Sequence, residues 1–219
     1  VGLCVQWNCH PETLGSKNTE ISADFVGPLV AQLQRRYHCP TVYFTGVVGG
    51  LMTTLGLEVR DPQGQSLADG SMEKTERYAD LLAAHVGKLV DQGQPVRLAP
   101  IRAKSLDVFL PLDNKLYLLA RTLGVLKREA FAWEGNPYQA EKITGSATKH
   151  YCLRTEIGWL QLGELDVALI PGEVYPELVL GKVQEPADPG ADFPQAAPEP
   201  SIYGQLPGRW HMILGLAND

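Results

Sequence analysis

Two loops of this sequence carry the side chains best suited to hold a metal ion. His10 and Glu12 follow a short apolar run that ends at Trp7, and Glu173 follows another apolar run and the turn-forming pair Pro171-Gly172. Zinc prefers imidazole nitrogen and carboxylate oxygen as ligands, and a catalytic zinc keeps one position open for water. His10 and Glu173 are therefore candidate ligands of a zinc ion (Zn2+).

Each of these residues also has a structural interpretation. A single histidine after a strand, such as His10, is often a hydrogen-bonded structural residue. Glu12 is a candidate catalytic proton shuttle, a carboxylate that orients the imidazole, or a solvated loop residue. Glu173 could cap a helix predicted around residues 175–183 instead of binding metal. The spacing alone leaves these alternatives open.

Other reactive patterns are absent or incomplete. The loop from Gly46 to Gly50 contains neither GxxxxGK[ST] nor GxGxxG, so we interpret its glycines as allowing close backbone approach beneath a site. The sequence also has no GxSxG motif, which disfavours an α/β-hydrolase triad. The remaining histidines have no partner at ligand spacing: His38, His85, His150 and His211.

Composition limits the class of protein. The chain has 219 residues, 44% hydrophobic and 20% charged, and a net charge of -6. This balance predicts one globular domain over residues 1–219, and the negative charge without a basic cluster argues against nucleic acid as a partner. No apolar run reaches the roughly 20 residues of a membrane span. The four cysteines form no CxxC pair, so we interpret them as structural thiols.

Apolar periodicity predicts alternating helices and strands. The strands are expected at Val1–Trp7, Thr41–Thr45, Val96–Leu112 with a break near Ala103–Ser105, Cys152–Leu162, Asp166–Ile170 and Met212–Leu216. The helices are expected at Asp24–Arg36 with Asp24 as N-cap, Met72–Asp91 with Ser71 as cap, and Lys115–Leu123 between Asn114 and Gly124. Residues 184–208 are rich in Pro and Gly and predict an irregular loop. The expected fold class is α/β or α+β, with a mixed β-sheet flanked by helices.

Five segments, in this order, resemble the neutral/alkaline (non-lysosomal) ceramidase family, with the closest likeness to bacterial members. They are Asn8–Gly15, Ile21–Phe25, Phe44–Gly50, Ile170–Glu173 and Leu214–Asp219. The family consists of zinc-dependent amidases that cleave the N-acyl bond of ceramide. The resemblance implies that His10 matches a histidine ligand and Glu173 the glutamate ligand.

The same resemblance implies an incomplete site. A second histidine would precede Val1, and a tyrosine ligand would follow Asp219, so the chain is expected to be an internal fragment and the C-terminal portion of a larger catalytic domain. Such a fragment is expected to bind zinc weakly, to be inactive and to be capable of self-association through exposed edges. An extracytoplasmic or secreted location is also implied by the resemblance alone.

One departure from the family concerns the loop after the second strand. Ceramidases have a Gly-Asp-Val-Ser-Pro type loop with an active-site serine, whereas this sequence has Gly49-Gly50-Leu51-Met52-Thr53. We therefore predict a ceramidase-like zinc-dependent hydrolase of an amide (N-acyl) bond in a small-molecule or lipid substrate. One alternative is a non-catalytic relative that binds a ligand in the same cleft. Another is a zinc peptidase or sugar-amide deacetylase.

Overall fold

The strands form two sheets. The computed structural model describes residues 2–143, 150–181, 186, 189–190, 194–195 and 199–217. The strands are β1 (Leu3–Trp7), β2 (Thr41–Thr45), β3 (Ile101–Pro111), β4 (Phe131–Ala132), β5 (Glu141–Lys142), β6 (Tyr151–Leu162), β7 (Leu165–Leu169) and β8 (Trp210–Leu214). The helices are α1 (Val26–Tyr37), α2 (Met72–Asp91), α3 (Lys115–Thr122), α4 (Pro176–Leu180) and α5 (Ile202–Gln205). Strands β1 and β2 pair in parallel, and the larger sheet has the order β5-β4-β6-β7-β8 with β3 on the other edge of β6.

The larger sheet is mixed, as the sequence predicted. Strand β7 pairs in parallel with β8, whereas β3, β4 and β7 all pair antiparallel with β6. The expected fold class, a mixed sheet with helices, is therefore confirmed. The division into two sheets was not expected. A hydrogen bond from the Gly215 amide to the Thr45 carbonyl, 3.0 Å long, joins the end of β8 to the end of β2.

Helices α1 and α2 form the main core with β1. Helical spacing predicts an apolar stripe of Phe25, Leu29, Val30 and Leu33. Phe25, Leu29 and Leu33 are fully buried, and Val30 is half-buried. The prediction that Asp24 caps α1 is wrong, because the N-cap is Phe25. Asp24 has a φ of 50° and lies before the helix, where its carboxylate binds other backbone groups.

Helix α2 has the predicted bounds and the predicted cap, since the Ser71 side chain accepts from the Lys74 amide. Helical spacing predicts a buried stripe of Ala79, Leu82, Val86 and Leu89. The first three are buried, but the prediction is wrong for Leu89, which is 57% exposed. The buried face follows Ala79, Ala83 and Gly87 at four-residue steps. Leu89 lies seven residues after the buried Leu82, at the margin of the same face, in the last turn of the helix, which is exposed.

The long β3–β6 pair differs from the prediction in continuity. Ala103, Lys104 and Ser105 pair without a break with Leu160, Trp159 and Gly158. The predicted interruption is therefore wrong, because a full ladder with β6 holds these polar residues in the strand. The β6–β7 hairpin turns where expected, with Gly163 at a φ of 59°.

Part of the segment 184–208 is regular. Residues 184–198 lie mostly outside the described residues, but α5 begins at Ile202 after a Ser201 cap that accepts from the Gly204 amide. Ile202, Tyr203 and Leu206 pack against the core around Ile213. The prediction of an irregular loop is therefore wrong for residues 202–205. None of the helices within the described ranges has the length and apolar character of a membrane span.

Candidate functional site

The carboxyl ends of four strands meet at one place. The Gly46 amide donates to the Trp7 carbonyl at 3.0 Å, which links the end of β2 to the end of β1. The Ile170 amide donates to the Leu214 carbonyl at 2.9 Å and links β7 to β8 in the same way. Ligand sites of α/β proteins commonly lie at such an edge. The loops that follow these strands are therefore the candidate site.

Glycines allow the four loops to touch. The Gly49 amide donates to the Val174 carbonyl at 2.9 Å, and a Cβ at Gly49 would lie 2.6 Å from the Val174 carbonyl carbon. A Cβ at Gly215 would collide with the Gly46 carbonyl oxygen. The prediction of close backbone approach in the Gly46–Gly50 loop is thus confirmed for Gly49, whereas a Cβ at Gly46 or Gly50 would meet side chains.

The structure brings His10 and Glu173 together. The His10 Nε2 lies 3.6 Å from the Glu173 Oε2, and the two side chains are 20% and 52% exposed. Both donors face a partly open site, accessible to a ligand. The His10 amide donates to the Met52 carbonyl at 2.7 Å, which ties the His10 loop to the loop after β2.

Glu173 does not cap the helix that follows it. The N-cap of α4 is Tyr175, and this helix has no side-chain cap hydrogen bond. The Glu173 side chain is therefore not used by α4, and the helix-cap interpretation of this residue is wrong. The Glu173 carboxylate instead lies beside the His10 imidazole.

Glu12 makes only backbone bonds in its own turn. Its amide donates to the His10 carbonyl at 2.9 Å, and its carbonyl accepts from the Gly15 amide at 2.9 Å. Within the described part of the chain, its carboxylate has no ion pair or hydrogen bond with His10. Its role as a proton shuttle stays a prediction.

A buried carboxylate holds the other end of the His10 loop. The two Asp24 side-chain oxygens accept from the amides of Thr13, at 3.0 Å, and Leu14, at 2.9 Å. Thr13 and Thr54, both fully buried, share a hydroxyl hydrogen bond of 2.9 Å. These bonds attach the loop after β1 to the segment that follows Met52.

A buried lysine fixes that segment. Lys74 is 1% exposed, and its ammonium donates to the Thr54 carbonyl at 2.9 Å, the Leu57 carbonyl at 2.7 Å and the Asp69 carboxylate. A buried ammonium needs partners for all three of its protons, and here it has them. Lys74 thus plays the structural role of an internal cation at the base of the site.

Aromatic residues and a thiol lie beneath His10. Cys9 is buried, and burial is the main cause that raises the pKa of its thiol, with the Glu12 and Asp24 charges acting in the same direction. Burial also raises the pKa of Tyr78 to about 12, and the Tyr78 hydroxyl accepts from the Trp7 indole at 3.0 Å. The thiol is therefore protonated near neutrality, in agreement with a structural role.

Sequence reasoning missed the residue that joins β1 to β2. The Asn8 Oδ1 accepts from the Val47 amide at 2.9 Å and lies where a Cβ of Gly46 would be. A polar residue directly after one strand, together with a glycine directly after the next, could have indicated this contact. Lys74 and Asp24 carried no such signal, because their partners are backbone groups of irregular segments.

The other histidines lie away from the site contacts. His85 makes a tilted ring contact with Trp7, at 6.2 Å between centroids, and His211 bonds the Gly208 carbonyl through Nε2 at 2.8 Å. Among the residues that the structure describes, no group of three or more His, Cys, Asp or Glu side chains could hold a metal. The described part of the site therefore offers a pair of donors.

The fold is similar to solved ceramidase structures. The neutral ceramidase from Pseudomonas aeruginosa matches with a TM-score of 0.51 and 14% identity, over 78% of this chain and 32% of that chain. The fold of this chain is ceramidase-like. A structure described as a ceramidase complexed with C2 matches with a TM-score of 0.47 and 13% identity, over 78% of this chain and 34% of that chain.

The ceramidase-like fold that the sequence resemblance implied is therefore confirmed. The chain spans about a third of the length of each of these ceramidases. No family model and no curated protein matches the sequence.

Proposed function

We propose that this chain supplies two zinc ligands, His10 and Glu173, to a hydrolase that cleaves an amide (N-acyl) bond. The observation that carries the proposal is the 3.6 Å distance between the His10 Nε2 and the Glu173 Oε2. These atoms come from the loops after β1 and β7, at the edge where four strands end. The ceramidase-like fold supports the choice of reaction, and the substrate is proposed as a small-molecule or lipid amide.

The two donors fit zinc in chemistry and in spacing. Zinc binds imidazole nitrogen and carboxylate oxygen at about 2.0–2.2 Å, so two ligands of a tetrahedral zinc lie about 3.4 Å apart. The observed 3.6 Å is close to that separation without any rearrangement of the backbone. Since the described residues contain no third donor at the site, the remaining ligands would come from outside them.

Zinc, when bound, would polarise the scissile carbonyl and lower the pKa of a water molecule toward ~7. Residues of this chain would hold the loop that carries His10 in place. The Met52 carbonyl holds the His10 backbone, and the Asp24 carboxylate holds the far end of the same loop. Glu12 lies between these two anchors, and we propose it as the residue that moves protons.

A second candidate function is ligand binding without catalysis. Met52 occupies the position of the family's active-site serine in the resemblance, and the described residues provide a pair of metal donors rather than three. A binding protein tolerates both features. The two functions differ in turnover, because only the hydrolase releases a fatty acid or another acyl product.

Zinc content tests the proposal. We would measure zinc per chain in the full-length natural protein, beside His10→Ala and Glu173→Ala, with His150→Ala and Glu20→Ala as controls at exposed positions. One zinc per chain, lost in the first two variants and kept in the controls, is the expected result. Absence of zinc from the natural protein, or its retention in both site variants, would contradict the proposal.

Substrate class is tested separately on the zinc-loaded protein. A panel of N-acyl amides is expected to release free acid at a rate that His10→Ala abolishes. Saturable binding of the same amides without release of acid would favour the second candidate function.

A further inference from the structure

Helix α3 turns its largest apolar side chains outward. Leu116 is 76% exposed, Leu119 is 53% exposed and Leu123, the C-cap residue, is 68% exposed. These positions are three and four residues apart, so they lie on one face of the helix. None of the residues within α3 is buried. This arrangement is the reverse of the usual surface helix, whose leucines face the core.

The segment after α3 extends the same surface. The Gly124 amide donates to the Arg121 carbonyl, and the Val125 amide donates to the Ala120 carbonyl, each at 2.9 Å. This pair of bonds is the Schellman arrangement, which folds the chain back against the last helical turn. Val125 is 72% exposed. We call Leu116, Leu119, Leu123 and Val125 the α3 patch.

Contacts on the opposite side fix the orientation of α3. Tyr117, Leu118 and Arg121 are half-buried, and the Arg121 guanidinium lies over the Tyr151 ring, 5.3 Å from its centroid. Asn114 accepts from the amides of Leu116 and Tyr117 and anchors the first turn. The helix is therefore held with the α3 patch pointing away from the sheet.

Charge around the α3 patch differs in sign from the rest of the chain. Residues 113–129 contain four basic side chains and two acidic ones, a net charge of +2, whereas the whole chain carries -6. Glu129, one of the two acids, is paired with Lys142. Lys115 and Lys127, at the two ends of the patch, are exposed. An apolar face flanked by cations is complementary to an anionic lipid surface.

We propose that the α3 patch docks this protein onto an anionic phospholipid membrane. The leucines and Val125 enter the headgroup region, while Lys115 and Lys127 contact lipid phosphates. A helix of eight residues is about 12 Å long, so α3 lies in the membrane plane. This inference does not rest on the proposed zinc chemistry, because the α3 patch and the His10–Glu173 pair share no residue.

Vesicle flotation tests the proposal on the full-length natural protein. The vesicles are phosphatidylcholine alone, or phosphatidylcholine with phosphatidylglycerol. We expect binding to the anionic vesicles that weakens as salt is raised, and at least a ~10-fold loss of binding in Leu116→Ser/Leu119→Ser. The matched control is Leu81→Ser/Leu89→Ser, which removes two exposed leucines of α2. The variant Lys115→Glu/Lys127→Glu is expected to lose the part of vesicle binding that depends on salt concentration.

Three outcomes would overturn the proposal. The first is no binding of the natural protein to anionic vesicles. The second is equal binding by the α3 variant, with circular dichroism showing that both variants are folded. The third is concentration-dependent self-association without vesicle binding that Leu116→Ser/Leu119→Ser abolishes, which would assign the α3 patch to a second copy of the chain. His10→Ala is expected to bind vesicles as the natural protein does. Failure of the zinc proposal is therefore distinguishable from failure of the membrane proposal.

Discussion

The backbone amide of Gly49 donates to the carbonyl of Val174 at 2.9 Å, with no room for a side chain between the two segments. This contact places the loop after β2 directly on the loop that carries Glu173. The same β2 loop continues to Met52, whose carbonyl holds His10. The separation of the two proposed metal donors therefore depends on a contact that neither donor makes.

Replacing Gly49 by alanine should push the two loops apart. The new Cβ would lie 2.6 Å from the Val174 carbonyl carbon, and backbone cannot move aside as a flexible side chain can. We expect a loss of about 1–3 kcal/mol in the free energy of unfolding, measured by urea denaturation, together with weaker zinc binding. The control is Gly172→Ala, because a Cβ at Gly172 meets nothing within 4 Å. Equal stability of the two variants would refute this prediction.

Removing the Lys74 ammonium should destabilise the segment beneath the site. Lys74→Met leaves the Leu57 carbonyl without its donor and the Thr54 carbonyl with the Leu57 amide alone, and we expect a cost of about 1–3 kcal/mol. Lys88→Met, an exposed lysine of the same helix, serves as the control and should change little. A chemical-denaturation midpoint unchanged in Lys74→Met would show that water replaces the ammonium.

Asp24 should control the mobility of the His10 loop. Its carboxylate accepts three amides, those of Thr13, Leu14 and Phe25, so Asp24→Ala removes three charge-assisted hydrogen bonds. We expect faster hydrogen exchange at the Thr13 and Leu14 amides and a loss of about 3 kcal/mol of stability. Unchanged protection of these two amides from hydrogen exchange would contradict the prediction. Glu20→Ala, at an exposed position, is the control variant and should leave the exchange of both amides unchanged.

Tyr78 should titrate later than an ordinary tyrosine. Burial raises its pKa to about 12, above the usual value of about 10. Because the folded state favours the neutral phenol, this contribution to stability is complete below pH 10 and is lost as the pH rises through about 12. Burial raises the pKa of Tyr43 as well, so phenolate absorbance should show a late part of the titration that Tyr78→Phe reduces by one phenol without removing it entirely. A late part of unchanged amplitude in Tyr78→Phe would contradict the prediction.

The position of His10 and Glu173 directly after strand ends could be predicted from the sequence. Both follow short apolar runs, and ligand sites of α/β proteins commonly lie at the carboxyl ends of strands. The 3.6 Å distance between the His10 Nε2 and the Glu173 Oε2 could not be predicted. It depends on contacts between loops and on non-glycine residues in left-handed conformations, such as Leu51 with a φ of 58°. Residues other than glycine rarely adopt such conformations, so no local pattern indicates them.

The burial of Lys74 could not be predicted from the sequence either. Apolar periodicity places a lysine on the exposed face of a helix, and the partners of this one are carbonyls of an irregular loop. The same limit applies to Asp24, whose type and position are typical of a helix N-cap but whose carboxylate binds an earlier loop. Irregular backbone provides hydrogen-bonding groups that residue types do not reveal.

The junction of β2 with β8, through the Gly215 amide and the Thr45 carbonyl, has a consequence for the time course of folding. The loops that it brings together come from early and late parts of the chain, so they cannot close until β8 has been synthesised. Contacts between distant parts of a chain carry the largest loop-closure entropy and form slowly. During synthesis His10 would therefore be present for a long interval before Glu173 exists beside it.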